Sequence, residues 1–252
     1  MSEQKNNIGH QFMEKTRHDQ ISASDQQQEI PPPPKFWDLE AEKEIELPSP
    51  DNFSQPEADM LSSMRKRRSR RKFTGKPLSK KEISILTFYT QGVKKDLSGG
   101  ASLRTVPSAG ARHALETFIY LDRGEGEIEQ GIYHYQPEKH NLALIKPGNF
   151  RRQVIRASVG QKHVGEAAAV FFWVADSYRM TWRYSERGFR YLHLDAGHVC
   201  QNLYLAAEAI NAGICAIAAF DDSYANDLLA LDGEDNFVVY MASVGSREKS
   251  QN

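Results

Sequence analysis

Residues 191–211 read YLHLDAGHVCQNLYLAAEAIN. Leu192, Ala196, Val199, Leu203, Ala206 and Ile210 recur at spacings of 4, 3, 4, 3 and 4, which places them on one face of an α-helix of about five turns. Alanine and other small residues crowd that face, so a closely packed helix or sheet neighbour is expected. Gly213 ends the helix and leads into a strand at about 214–219. Upstream, residues 168–175 (AAVFFWVA) are short and apolar on both faces, the pattern of a central strand. Residues 115–121 (LETFIYL) also read as a strand. Gly131–Gln136 and Leu142–Ile145 form a hairpin pattern around a turn at Pro137–Asn141, and residues 237–244 supply a last strand. Ser79 with Glu82 makes a capping-box pattern for a helix over 80–91, stopped near Gly92. Shorter helices are expected over 149–158 and 224–231. No internal repeat is found. These elements predict an α+β fold, a mainly antiparallel sheet flanked by helices.

Composition removes several classes. The 252 residues are 40% hydrophobic and 26% charged, with 17 Gly, 11 Pro and two Cys. That suffices for a sizeable core and excludes a disulfide scaffold or Cys-rich metal fold. Cys200 and Cys215 read as core thiols, which suits a reducing compartment. The polar start MSEQKNNIGH has no signal-peptide pattern, and the longest apolar run, 167–175, is far below the ~20 residues that span a bilayer. A soluble, cytoplasmic protein is expected, with no membrane partner.

Residues 1–29 are polar and unpatterned and are expected to be a flexible arm. Residues 30–62, with Pro31–Pro34, Pro48 and Pro50, are expected to form an extended arm docking Phe36, Trp37, Ile45 and Leu47 on the core. The folded domain is then 63–247, with a tail at 248–252.

The net charge of -1 conceals an asymmetry. Residues 1–60 hold 13 acids and five bases, whereas residues 64–81 hold ten bases and no acid. The basic segment RKRRSRRKF (65–73) supports three readings: a solvated face, a nucleic-acid tail, or a phosphate clamp of arginine forks around a serine hydroxyl. The remainder of the chain has no second basic stripe to follow a nucleic-acid backbone, which favours a compact anion over nucleic acid.

The segment RTVPSAGA (104–111) precedes a strand, and its small residues allow either an ordinary tight turn or close approach of a flat ligand. It is neither a GxxxxGK[ST] loop nor a GxGxxG turn. His193 and His198 are five apart, on different helix faces, and no HExxH, CxxC or GxSxG occurs. No metal site and no protein-only catalytic set is apparent, so a borrowed cofactor is the economical expectation.

The ordered motifs RRSRRKF, VPSAGARHALE, RYSERGFRYLHLDAGHVCQNLYLAAEAINAGICAIAAFDD and VVYMASVG resemble the FMN-dependent nitroreductase superfamily. Within it, the chain is most similar to the SagB-type (SagB/ThcOx) dehydrogenases, from about Pro31 to Arg247. The resemblance implies a nitroreductase-like fold in an intertwined homodimer with FMN at the interface. It implies phosphate binding by Arg67, Arg68, Ser69 and Arg71, assisted by Arg247. Pro107, Ser108, Ala109 and Gly110 would run beside the flavin, and Ala218 and Ala219 would offer backbone N–H groups near it. Ala218–Ala219 stands where better-known relatives often carry Glu-Gly.

NAD(P)H is the implied electron donor to a small acceptor; the alternatives are an azoline dehydrogenase that oxidises thiazoline or oxazoline rings of a ribosomal peptide substrate, and a non-catalytic flavin-binding protein. The azoline dehydrogenases of this branch carry a Lys-Tyr pair, matched here by Arg183 and Tyr184 as candidate catalytic residues. An arginine stays protonated and is a poor general base.

Overall fold

The computed structural model describes residues 7–52, 54, 59–97 and 101–248. The chain begins with α1 (Ile8–Lys15), β1 (Lys43–Glu46), α2 (Met60–Lys66) and α3 (Lys80–Gln91). A small two-stranded pair, β2 (Val93–Asp96) and β3 (Ser102–Arg104), precedes the strands β4 (Leu115–Leu121), β5 (Gly131–Gln136) and β6 (Asn141–Pro147). Next come α4 (Arg151–Ala157), β7 (Ala169–Asp176), α5 (Ser177–Tyr184) and α6 (Gly188–Ala209). The chain closes with β8 (Ala212–Ile217), α7 (Asp222–Leu229) and β9 (Asn236–Ser246). Seven strands pair antiparallel in the order β1-β6-β5-β4-β7-β9-β8.

Strand β7 shows why this sheet has two cores. Phe171, Trp173 and Ala175 join the cluster that holds α3 and α6, while Val170, Phe172 and Val174 join the cluster that holds α4 and α7. Successive side chains point to opposite faces, so an uninterrupted apolar run fits only an interior strand covered on both sides. On one face Leu192, Ala196, Val199, Leu203 and Ala206 of α6 are buried, and Ile210 caps the helix. Ser79 caps α3, its side chain accepting from the Glu82 amide while Glu82 reaches back to the Ser79 amide.

Several expectations required correction. Residues 1–29 lack a helical pattern, yet Ile8–Lys15 is helical, N-capped by Asn7. The following segment is fastened to α5 and α6 by polar contacts that hydrophobic periodicity does not reveal. The Gln26 amide donates to the Trp182 carbonyl, the Trp182 indole donates to the Ile30 carbonyl, and the Tyr178 hydroxyl donates to Asp25. The extended arm contributes an edge strand, β1, and α2 runs across the expected boundary at residues 62 and 63. Residues 1–6 and 249–252 of the expected arm and tail lie outside the described residues. Helix α5 was not expected; Asp176 caps it by accepting from the Arg179 amide at 3.2 Å. No helix among the described residues is long and apolar enough to cross a membrane.

Candidate functional site

Helix α6 organises two clusters from its buried face. Its Tyr204 and Glu208 engage the basic segment, and its Asp195 engages the turn at Pro107–Gly110. Asp195 and Tyr204 are nine positions apart, about 14 Å along the helix axis.

The basic segment is laid across the end of the β8–β9 ladder by the chain itself. The Arg70 amide donates to the Ile214 carbonyl at 2.8 Å, and the Thr74 amide donates to the Ser246 carbonyl at 2.9 Å. Gly213 and Gly245 are paired across these strands, and a Cβ on Gly245 would lie 2.9 Å from the Phe73 ring. The two glycines therefore leave room for Phe73 to pack flat on the sheet. Ser69 Oγ lies 2.9 Å from the Tyr204 hydroxyl, which also accepts the Ala216 amide at 3.0 Å. The Arg67 guanidinium stands 5.1 Å from the centroid of the same ring, a cation–π distance.

The arginines divide into two groups. Arg247 is bound by Glu208 at 2.9 Å and by Asn211 at 2.8 Å, and Glu208 also lies 3.6 Å from Arg70. Arg67, Arg68 and Arg71 form no ion pair among the described residues, and Arg70 Nε is buried without a hydrogen-bond partner. A cationic cluster with a hydroxyl at its centre and too few carboxylates fits a compact dianion. Arg247 is committed elsewhere and supports Arg70 through their shared Glu208.

At the other end of the helix, the Ala109 amide donates to Asp195 Oδ1 at 3.2 Å. Burial pushes the Asp195 carboxyl above its ordinary range, partly offset by Ser108 and the Ala109 amide. The Ser108 hydroxyl accepts the His113 amide at 2.8 Å. Gly110 adopts φ of +58°, and a Cβ there would lie 2.5 Å from the Tyr184 hydroxyl and 2.7 Å from Arg183 Nε. The turn and the Arg183–Tyr184 pair thus meet face to face, although they are 73 and 74 positions apart in sequence. Tyr184 also packs edge-on against Tyr191 with centroids 4.8 Å apart. Between α5 and α6, Ser185 takes φ +51° and ψ -147°, a strained conformation for a residue with a Cβ.

Ala218 and Ala219 follow β8 and are exposed, with the Ala219 carbonyl accepting from the Gln161 side-chain Nε2 at 3.0 Å. Cys200 and Cys215 are free and buried. Burial pushes the Cys200 thiol up to about 12 and the Cys215 thiol also upward, as inert core thiols require. His193 and His198 are exposed, and the described residues hold no group of three potential metal ligands.

Three positioning residues were not singled out from the sequence: Asp195, Tyr204 and Glu208. Asp195 adjoins Leu192 and Ala196 on the apolar stripe, and a carboxylate on a buried face requires a nearby donor. That placement was the available signal.

Residues 64–246 match the sequence profile of the Nitroreductase family. A Methanocaldococcus jannaschii protein named as a nitroreductase is 33% identical over 188 residues, covering 75% of this chain and 90% of that protein. The trifolitoxin-processing protein TfxB of Rhizobium leguminosarum bv. trifolii is 28% identical over 167 residues, covering 60% of this chain and 42% of that one. A nitroreductase-named crystal structure from Anabaena variabilis superposes with a TM-score of 0.70 at 30% identity over 95% of this chain. This chain spans only 47% of that structure's length. The antiparallel sheet flanked by helices and the ordered motifs from the basic segment to the last strand are accordingly those of a known oxidoreductase fold, and the chain belongs to the nitroreductase family.

Proposed function

We propose that this protein is an FMN-dependent oxidoreductase that takes reducing equivalents from NAD(P)H and delivers them to a small acceptor. The observation that carries this reading is the pair of clusters on α6, one cationic and one a backbone turn held open at Gly110. Bound FMN supplies hydride transfer between the nicotinamide and the acceptor. Arg67, Arg68 and Arg71, with the Ser69 hydroxyl, would hold the phosphate. Tyr204 fixes Ser69 and the β8 backbone together, and Glu208 keeps Arg70 and Arg247 in place. Pro107, Ser108, Ala109 and Gly110 would border the flavin, with Asp195 setting the turn. The exposed Ala218 and Ala219 backbone would face it after β8.

The cofactor would join the two clusters on the buried face of α6, and the opposite face of that helix is exposed. Leu194 is 59% exposed there, and a Cβ on Gly197 would meet nothing within 4 Å. An apolar side chain beside an open glycine suits close packing of the same helix from a second copy, so the working form is read as a homodimer. The two buried free cysteines suit the cytoplasm.

A second reading, azoline oxidation in a ribosomal peptide, is favoured by the likeness to TfxB and by the Arg183–Tyr184 pair standing over Gly110. Arg183 cannot supply the base, so in this reading it orients the substrate.

The test is the visible spectrum of the purified protein reconstituted with FMN, before and after anaerobic NADH or NADPH. A bound flavin that bleaches supports the reading. Arg68→Ala with Arg71→Ala should weaken FMN binding about 100-fold or more, from two lost charge-assisted contacts. Unchanged affinity would overturn the phosphate assignment. Loss of two hydrogens from a thiazoline peptide, followed by mass spectrometry, would select the second reading.

A further inference from the structure

Residues 18–27 arch over the corner where α5 gives way to α6, and a cavity of about 490 Å³ lies between them. His18, Gln27, Arg183, Tyr184, Arg187 and Tyr191 contribute to its wall, and no Asp or Glu lines it. Of the acids nearest in sequence, Asp19 lies against Arg17, Asp25 accepts from the Tyr178 hydroxyl, and Glu186 is exposed and not part of the wall. Arg183 is half-buried and forms no ion pair among the described residues, its guanidinium standing 5.6 Å from the Tyr184 centroid. Among the described residues Arg187 donates to two neutral oxygens, the Tyr191 hydroxyl at 2.7 Å and the Thr16 carbonyl at 3.0 Å.

Arg179 meets Glu116 and Asp176, and Arg247 meets Glu208, whereas the buried Arg104 donates to the Gln91 and Ser102 side chains and the buried Arg112 to the Arg179 carbonyl. Two half-buried guanidiniums on one cavity whose wall holds no carboxylate present a site complementary to an anion. The planar fork of arginine selects a carboxylate, and the Tyr184–Tyr191 pair adds an aromatic wall.

We propose that this cavity binds the carboxylate end of a small aromatic acid, with the N-terminal segment forming its outer wall. Arg183 and Tyr184 line the cavity and also face Gly110. The inference rests on the flavin reading only in making the bound acid a substrate; the binding of the acid stands on the cavity alone.

Titration calorimetry of benzoate and of its neutral isostere benzamide, on the full chain reconstituted with FMN, tests this. Benzoate is expected to bind at least tenfold more tightly than benzamide. Arg187→Gln and, separately, Arg183→Gln should each reduce benzoate affinity about tenfold and leave benzamide unchanged. Because Arg187 also holds the Thr16 carbonyl, the Arg183 variant reports on charge without that tether. Equal binding of the two probes, no binding of either, or retention of the preference in both variants overturns the proposal. Flavin absorbance of the same samples separates the outcomes. Bound, reducible flavin without a benzoate preference sinks only the cavity, whereas the preference without flavin sinks only the flavin reading.

Discussion

The hydroxyls of Ser69 and Tyr204 meet at 2.9 Å, joining the basic segment to the buried face of α6 across 135 residues of sequence. Tyr204 also accepts the Ala216 amide, so one phenol aligns the cationic segment, the long helix and β8. Tyr204→Phe keeps the ring beneath Arg67 and removes both contacts. It should cost about 1–3 kcal/mol of stability, since the Ala216 amide loses its partner. FMN affinity should fall about tenfold or more, because Ser69 loses its orientation. Urea unfolding measures the first effect and fluorescence of released flavin the second. Wild-type flavin affinity in this variant would show that Ser69 is placed without Tyr204.

Gly110 predicts a separation between stability and turnover. A methyl group there meets the Tyr184 hydroxyl and Arg183 at Nε and Cδ, side-chain atoms rather than backbone, which have to shift to make room. The left-handed backbone adds about 1–2 kcal/mol of strain for a residue with a Cβ. Gly110→Ala should therefore lower stability by about 1–2 kcal/mol. Flavin reduction and turnover should fall more steeply, as the displaced pair no longer faces the turn. Stopped-flow reduction with NAD(P)H beside a thermal melt checks this; a melt-only effect would remove Arg183 and Tyr184 from the site.

Beneath the sheet face near Trp37 lies a buried charge network. Arg179 bridges Glu116 and Asp176, and Glu116 also lies 2.8 Å from His134. Glu116 is fully enclosed, which alone would raise its carboxyl, but Arg179 and the His134 contact outweigh burial and hold it at about 2. Glu116→Gln leaves Arg179 with Asp176 as its one carboxylate, beside the Pro34 carbonyl, and should destabilise by about 3–5 kcal/mol. Chemical denaturation measures it, and a loss below 1 kcal/mol would mean that the network relaxes through water.

Much of this fold was legible because its two periodicities are strong. The 4-3-4-3-4 stripe of α6 and the two-faced apolar run of β7 fix the central helix and an interior strand, and the capping box places α3. What failed was carried by polar contacts. Helix α5 has no long apolar stripe, and α1 and residues 16–30 attach through backbone carbonyls and the Trp182 indole. Motif order pointed to the arginines and the turn at Pro107–Gly110. It did not show that Glu208 engages Arg247, or that Asp195 sets the turn, because those partnerships exist only after α6 is packed.

Acid sensitivity begins at the candidate site with His113. Burial is the main cause that pushes its imidazole down to about 3, with Arg104 next, and a contact to the Ser102 carbonyl opposes them only in part. Nε2 lies 2.9 Å from that carbonyl, and Nδ1 is buried without a partner, so the neutral ring belongs to the folded state. Burial also lowers His140 and His163. Each of these histidines takes up its proton in the unfolded chain, at about pH 6.5, before it does so in the folded chain, so stability falls as pH drops through that value. His113 alone should contribute about 1.4 kcal/mol of loss between pH 7.5 and 5.5. Glu116 adds a further loss only below about 4.5, where the unfolded carboxylate protonates first. His113→Gln retains a donor for the Ser102 carbonyl and removes the titration. Urea unfolding at pH 7.5 and 5.5 should therefore show a pH-dependent loss smaller by about 1.4 kcal/mol in the variant than in the wild type. Equal losses in the two proteins would mean that His113 is protonated in the folded state and that its ring is open to water.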